Sequence, residues 1–167
     1  MALQLYRIAT VEVGSAGSAS IAFSSIPQGY TDLKLDFSGR TNYTGAANDG
    51  VTLAFNGSTA NFTTRFLFGD GSAAASSTSG SYTAGITGAN ATTNAFGSGS
   101  IYIPNYAGAT NKSVSLDTVN ENNATSALQL LGATLWSVTS AINSVTITPS
   151  FGTLWNQYST ATLYGIL

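Results

Sequence analysis

The sequence predicts an all-β protein: an antiparallel β-sandwich, jelly-roll-like, with eight to nine short strands in a single domain over residues 1–167. Three observations lead there. Large apolar residues alternate with polar ones at period two along most of the chain, the mark of half-buried strands. Asn-Gly, Asp-Gly and proline-containing stretches interrupt the alternation at short intervals. No segment keeps a helical apolar period beyond two turns, so the helical crossovers of a parallel sheet are not expected.

Taken in order, residues 1–13 are apolar but irregular and read as an edge strand or as an arm reaching a neighbour. Ile21 and Phe23 mark a strand closed by Pro27 and Gly29, and Leu33, Leu35 and Phe37 alternate with Asp32, Lys34, Asp36 and Ser38. Val51, Leu53 and Phe55 run into Asn56-Gly57, a two-residue turn favoured in tight hairpins. Phe62, Thr64, Phe66 and Phe68 follow, ending at Asp70-Gly71. Residues 72–94 are almost entirely Ser, Ala, Thr and Gly around Tyr82 and Ile86, and read as a long loop or a weak edge hairpin. Ile101 and Ile103 form a short strand stopped by Pro104, and Val114 and Leu116 form another. Segment 124–137 suits a buried strand or a short helix; Gly132 and Thr134 weaken the helix, so a strand is expected. Val145 and Ile147 precede Pro149, and Ala161, Leu163 and Gly165 line one face of a terminal strand.

Composition excludes much chemistry. Five basic and seven acidic residues make up 7 % of the chain, against roughly 25 % in an ordinary domain, and there is no histidine or cysteine. Ser-His-Asp and Cys-His sites are therefore impossible, and no disulfide can form. A net charge of −2 supplies neither a basic patch for nucleic acid nor a polybasic membrane anchor. No apolar run approaches the roughly 20 residues that span a bilayer. The opening Met-Ala-Leu-Gln-Leu-Tyr-Arg lacks the basic and apolar regions of a signal peptide, so synthesis in a cytoplasm is expected.

The remaining catalytic options are thin. A Ser-Lys dyad has only Lys34 or Lys112 to draw on, and Lys34 sits on an outward strand position between Asp32 and Asp36. Asp32 and Asp36 stand about 13 Å apart on one strand face, too far for a glycosidase pair. Asp117 and Glu121 straddle a strand end, where convergence is the alternative to a strand-edge charge and a turn residue. Asp49 beside Asn48 and Gly50, and Asp70 next to Gly71, are the oxygens a calcium site would use, although each is more simply a turn former. No enzyme activity and no cofactor or metal is expected.

Aromatic residues are the more informative group. Trp155, Tyr158 and Tyr164 cluster near the C-terminus, and Tyr102 and Tyr106 flank Pro104. These types serve cores, protein interfaces and stacking against sugars. Candidate contact residues are Leu3, Leu5 and Tyr6 in the N-terminal segment together with Tyr102, Tyr106, Trp155 and Tyr158.

Several runs carry a likeness to known proteins. Ile101-Tyr102-Ile103-Pro104-Asn105-Tyr106, continuing Ala107-Gly108-Ala109-Thr110-Asn111-Lys112-Ser113, resembles small virion proteins of tailed bacteriophages, marine phages and cyanophages above all. Glu121-Asn122-Asn123-Ala124-Thr125, Leu135-Trp136-Ser137 and the ending Tyr158-Ser159-Thr160-Ala161-Thr162-Leu163-Tyr164-Gly165-Ile166 fit the same pattern, as do Ile26-Pro27-Gln28-Gly29-Tyr30-Thr31-Asp32-Leu33 and Arg65-Phe66-Leu67-Phe68-Gly69-Asp70-Gly71. The resemblance spans most of the chain and offers no catalytic residues. It implies a virion structural protein, with a capsid decoration (cement) protein as the expectation: a homotrimer on the outside of the major capsid protein shell. The alternative is a tail-fibre tip or receptor-binding sandwich that binds glycan, with the 72–88 stretch and Tyr82 as its solvent-facing surface. A chain so poor in charge suits an adhesive, salt-insensitive contact.

Overall fold

The computed structural model describes residues 4–121 and 127–167. Among the described residues there is no helix, and the strands in chain order are β1 (Leu5–Glu12), β2 (Ile21–Phe23), β3 (Asp32–Gly39), β4 (Asn48–Phe55), β5 (Phe62–Gly69) and β6 (Ala74–Ser79). They continue as β7 (Tyr82–Thr87), β8 (Gly97–Ile103), β9 (Lys112–Val119), β10 (Gln129–Trp136), β11 (Val145–Pro149) and β12 (Thr160–Ile166). An eight-stranded antiparallel sheet runs β1-β12-β3-β8-β9-β10-β5-β6, and a four-stranded one runs β2-β11-β4-β7. The sandwich expected from period-two alternation is what forms.

Alternation explains the packing directly. In β3, Leu33, Leu35 and Phe37 are buried while Asp32, Lys34, Asp36 and Ser38 are half-buried on the opposite face. The inward side chains of β3, β8 and β9 join Val51, Leu53 and Phe55 of β4, Val145 and Ile147 of β11, and Ile21 and Phe23 of β2 in one apolar core. Each such aliphatic or Phe side chain gains roughly 1.5–3 kcal/mol on full burial. Trp136 closes one end of the core edge-on against Phe55, with ring centroids 5.3 Å apart.

Several expectations need correction. The described residues hold twelve strands, not eight to nine, and the sheets are unequal, unlike the paired four-stranded sheets of an eight-stranded jelly roll. Stretch 72–94 is neither a loop nor a hairpin: β6 pairs with β5 in the large sheet and β7 with β4 in the small one. Tyr82 therefore sits at the start of β7, half-buried against Phe66, and not on a loop. Asn56 and Gly57 do form a tight turn, at φ 52° and 74°, but the chain then crosses to the other sheet, so no hairpin joins β4 to β5. Of the two readings for the N-terminal segment, the edge strand is the one seen, with β1 paired antiparallel to β12. In segment 124–137 the strand reading holds as β10; residues 122–126 lie outside the described residues.

Long connections between sheets leave backbone groups that no ladder pairs, and single side chains satisfy them. Arg40 donates to the carbonyls of Ala89, Ala91, Thr92 and Ala95 at 2.8, 3.1, 2.8 and 3.0 Å, holding the link between β7 and β8. Lys112 is 1 % exposed, with Nζ donating to the carbonyls of Gly108, Thr139 and Ser140 at 2.8, 3.3 and 2.7 Å, beneath the Trp136 ring. Burial pushes the Lys112 ammonium below its ordinary value. Its three bonds to backbone carbonyls make it a structural clasp between segments. Asn56 accepts from the N–H groups of Asn143 and Ser144 and donates to the carbonyl of Ala141. At the β5–β6 turn, Asp70 Oδ1 accepts from the N–H of Ser72 and Ala73 and from the Ser72 hydroxyl.

Lys112→Met removes the buried donor that three part-buried backbone carbonyls share and lowers stability by about 2–4 kcal/mol in urea titrations. The bonds to Asp70 depress its carboxyl from 3.8 to about 2. The carboxylate therefore favours the folded turn above its unfolded value, and that contribution fades as pH falls from 3.8 toward 2. Amide-exchange protection of Ser72 and Ala73 follows that window, and Asp70→Ala abolishes the dependence.

Candidate interaction surface

The sequence-predicted contact residues separate into two groups. Tyr106 and Trp155 are fully buried and belong to the core, which corrects their assignment to an interface. Both can go inside because their polar ends find acceptors. The Tyr106 hydroxyl donates to the carbonyl of Pro27, and the Trp155 indole N–H donates to that of Ile147 at 3.3 Å. Trp155 fills the space over Gly39, where a Cβ would come within 2.5 Å of the ring. Leu5, Tyr102 and Tyr158 are exposed, Tyr6 is half-buried against Tyr30, and Leu3 lies outside the described residues.

These remaining residues do not converge. Leu5 and Tyr158 stand at opposite ends of the β1–β12 pair, since Leu5 faces Ile166 while Tyr158 donates its N–H to the carbonyl of Val13. Tyr102 is on the outer face of the large sheet, where its hydroxyl donates to Asp32 Oδ2 at 2.5 Å. That bond, more than burial, raises its hydroxyl above the ordinary tyrosine value.

A different surface is built with more care. Four rings run from the interior to solvent: Phe66 to Tyr82 at 5.5 Å, Tyr82 to Phe151 at 6.1 Å and Phe151 to Tyr43 at 5.5 Å. Phe66 is buried and Phe151 is 63 % exposed. Beneath them lies Asp49, 2 % exposed. Its Oδ1 accepts from the N–H of Gly50 and Phe151 at 2.6 and 3.0 Å, and its Oδ2 from the Thr41 hydroxyl and the Gly152 N–H at 2.8 and 3.0 Å. The carboxylate thus fixes the backbone that carries Phe151, and its oxygens serve protein donors. Gly50 must be glycine for this arrangement, because a Cβ there would lie 1.8 Å from the Tyr82 ring. Desolvation, followed by the charge of Asp49, raises the Tyr82 hydroxyl above its ordinary value.

The outer face of the large sheet offers a second, shallower feature. Register aligns Thr162, Asp36, Ser100 and Asp117 across β12, β3, β8 and β9. With Tyr164 and Lys34 they line a furrow in which Lys34 binds Asp36 at 2.8 Å. Glu121 borders a different depression, beside Leu67 and Leu131, so Asp117 and Glu121 do not share a site. Among the described residues no group of three or more metal-ligating side chains is brought together.

The aromatic ridge was not read from the sequence. Asp49-Gly50 looked like a turn, and its chief partners lie a hundred residues downstream, beyond any local pattern. The only local hint was an aromatic residue placed directly after Pro149-Ser150, where a turn leaves it exposed. No protein-family model, curated protein or solved structure matches the chain.

Asp49→Ala leaves the N–H groups of Phe151 and Gly152 without acceptors. It lowers stability by about 2–4 kcal/mol by chemical denaturation and raises amide exchange at both residues.

Proposed function

We propose that the protein is an adhesive virion component, a decoration (cement) protein that binds the outside of a tailed-phage capsid shell through its major capsid protein. The resemblance in the sequence supplies the phage context. Phe151 supports the adhesive reading: it is an exposed ring on a backbone held from below by a buried carboxylate. A partner that covers it gains apolar burial and loses little conformational freedom, which is how interface hot spots achieve affinity. Around it stand Tyr43, Tyr82 and Ser150, none charged, so the contact responds weakly to salt. Binding the mature shell in preference to its precursor stabilises it by mass action.

A receptor-binding role is the second reading, supported by the furrow of hydroxyls, Asp36, Asp117 and Tyr164. It places ligand on the opposite face of the large sheet from the aromatic ridge, so the two readings separate by site.

Particles assembled with the Phe151→Ser variant retain at least roughly tenfold less protein than wild type and open at a lower temperature, while the isolated variant stays folded. Particles without the protein that resist heat and osmotic shock as well as complete ones overturn the cement role. Saccharide-dependent chemical shifts at Tyr164, with none at Phe151, favour the receptor-binding role instead.

A further inference from the structure

We propose that the protein self-associates through the free edge of β6, pairing it antiparallel with β6 of a second copy about a two-fold axis. This inference rests on the sheet edges and is independent of the shell reading.

Open strand edges template further pairing, and proteins normally guard them. Two sheets give four edges. In the small sheet β2 is only three residues long, and β7 is buried at every residue but Tyr82. At the far side of the large sheet, β1 carries Arg7 and Glu12 and is broken by a register shift between Arg7 and Ala9. The β6 edge has none of these devices. Its sequence, Ala-Ala-Ser-Ser-Thr-Ser, holds no charge and no proline, its pairing with β5 is regular, and all of it except Ser79 is exposed.

The hydrogen-bond pattern identifies the groups on offer. The Asp70 N–H donates to the carbonyl of Ala73 at 3.2 Å, which makes that opposed pair a hydrogen-bonded one. Bonded and non-bonded pairs alternate along an antiparallel ladder. Ala74, Ser76 and Thr78 are then the non-bonded partners of Gly69, Leu67 and Arg65, and their N–H and C=O groups point away from β5.

A second copy fits this edge. With Ser76 on the two-fold axis, Ser76 faces Ser76 of the second copy and Ala74 faces its Thr78, so every outward N–H and C=O of these residues is paired. Hydroxyls and methyls meet across the join, an arrangement favourable in strand pairs. Identical chains would oppose like charges if the strand held any, and it holds none. The same register extends the Arg65 row of one copy onto the Gly69 row of the other, beside its Asp70. The nearest charges across the join are therefore opposite in sign, about 14 Å apart. Such pairing closes at two copies and stands in place of the homotrimer expected from the sequence.

Sedimentation equilibrium of the purified protein, from micromolar to about 1 mM, tests this. The expected result is a reversible monomer–dimer equilibrium that salt changes little. Ser76→Pro removes an edge-facing N–H while leaving the β5–β6 bonds intact, and raises the dissociation constant at least about tenfold with the melting midpoint unchanged. Ser76→Lys weakens the dimer by a similar factor at low salt and recovers part of it at high salt. A chain that remains monomeric at about 1 mM, or an oligomer of any size that both variants leave intact, overturns the proposal.

Discussion

Backbone groups outside the ladders must find partners, and in this molecule a handful of charged and amide side chains provide them. The two sheets are joined by connections that repeatedly cross between layers, and the turns within them, such as Gly108 to Asn105 and Ala95 to Thr92, pair only some of their backbone groups. Arg40, Lys112, Asp49, Asn56 and Asp70 each gather two or more backbone groups from one or two connecting segments. An unpaired buried amide or carbonyl costs about 1–3 kcal/mol. Removing any one of these side chains therefore loosens a whole connection, not a single contact.

This use of charge gives the composition a physical meaning. A chain with so few ions could scatter them for solubility, yet several are turned inward or bound to backbone at the surface. Beyond the few charges that stay exposed, such as Arg65 and Asp117, the surface left for contact with other molecules is hydroxyl, amide, aliphatic and aromatic. Leu67 faces Leu131 across β5 and β10, and both are exposed on the outer face of the large sheet. The aromatic ridge occupies the other side, beside β7. Neither surface depends on a charge exposed to solvent.

How much of this was legible depended on whether the determining contacts were local. Half-buried strands announce themselves, because the alternation in β3 or β9 is written in consecutive residues. β7 was harder to see: with both faces buried, Tyr82 to Thr87 need not alternate, and small residues at Ala84 and Gly85 conceal the strand. β6 was hidden for the opposite reason, since an edge exposed along nearly its whole length shows no alternation of large apolar residues. Tyr106 and Trp155 were misplaced because an amphipathic ring suits a surface or a core equally well until its polar atom meets an acceptor. The ridge around Phe151 was beyond reach, for the residue that holds it is distant in sequence and resembles any turn aspartate.

The placement of β12 between β1 and β3 bears on how the chain acquires its shape. Both neighbours come from the first quarter of the sequence, whereas β12 comes from its end, so two ladders of the large sheet close only when the extremes of the chain meet. Pairings of such long sequence separation are entropically late and slow to form. Until β12 arrives, β3 has an open flank and the core beneath Leu33 and Leu35 lacks Ala161 and Leu163. Docking of β12 therefore completes both ladders at once and covers Leu33 and Leu35, and a chain whose β3 flank is still open offers a strand edge to the wrong neighbour.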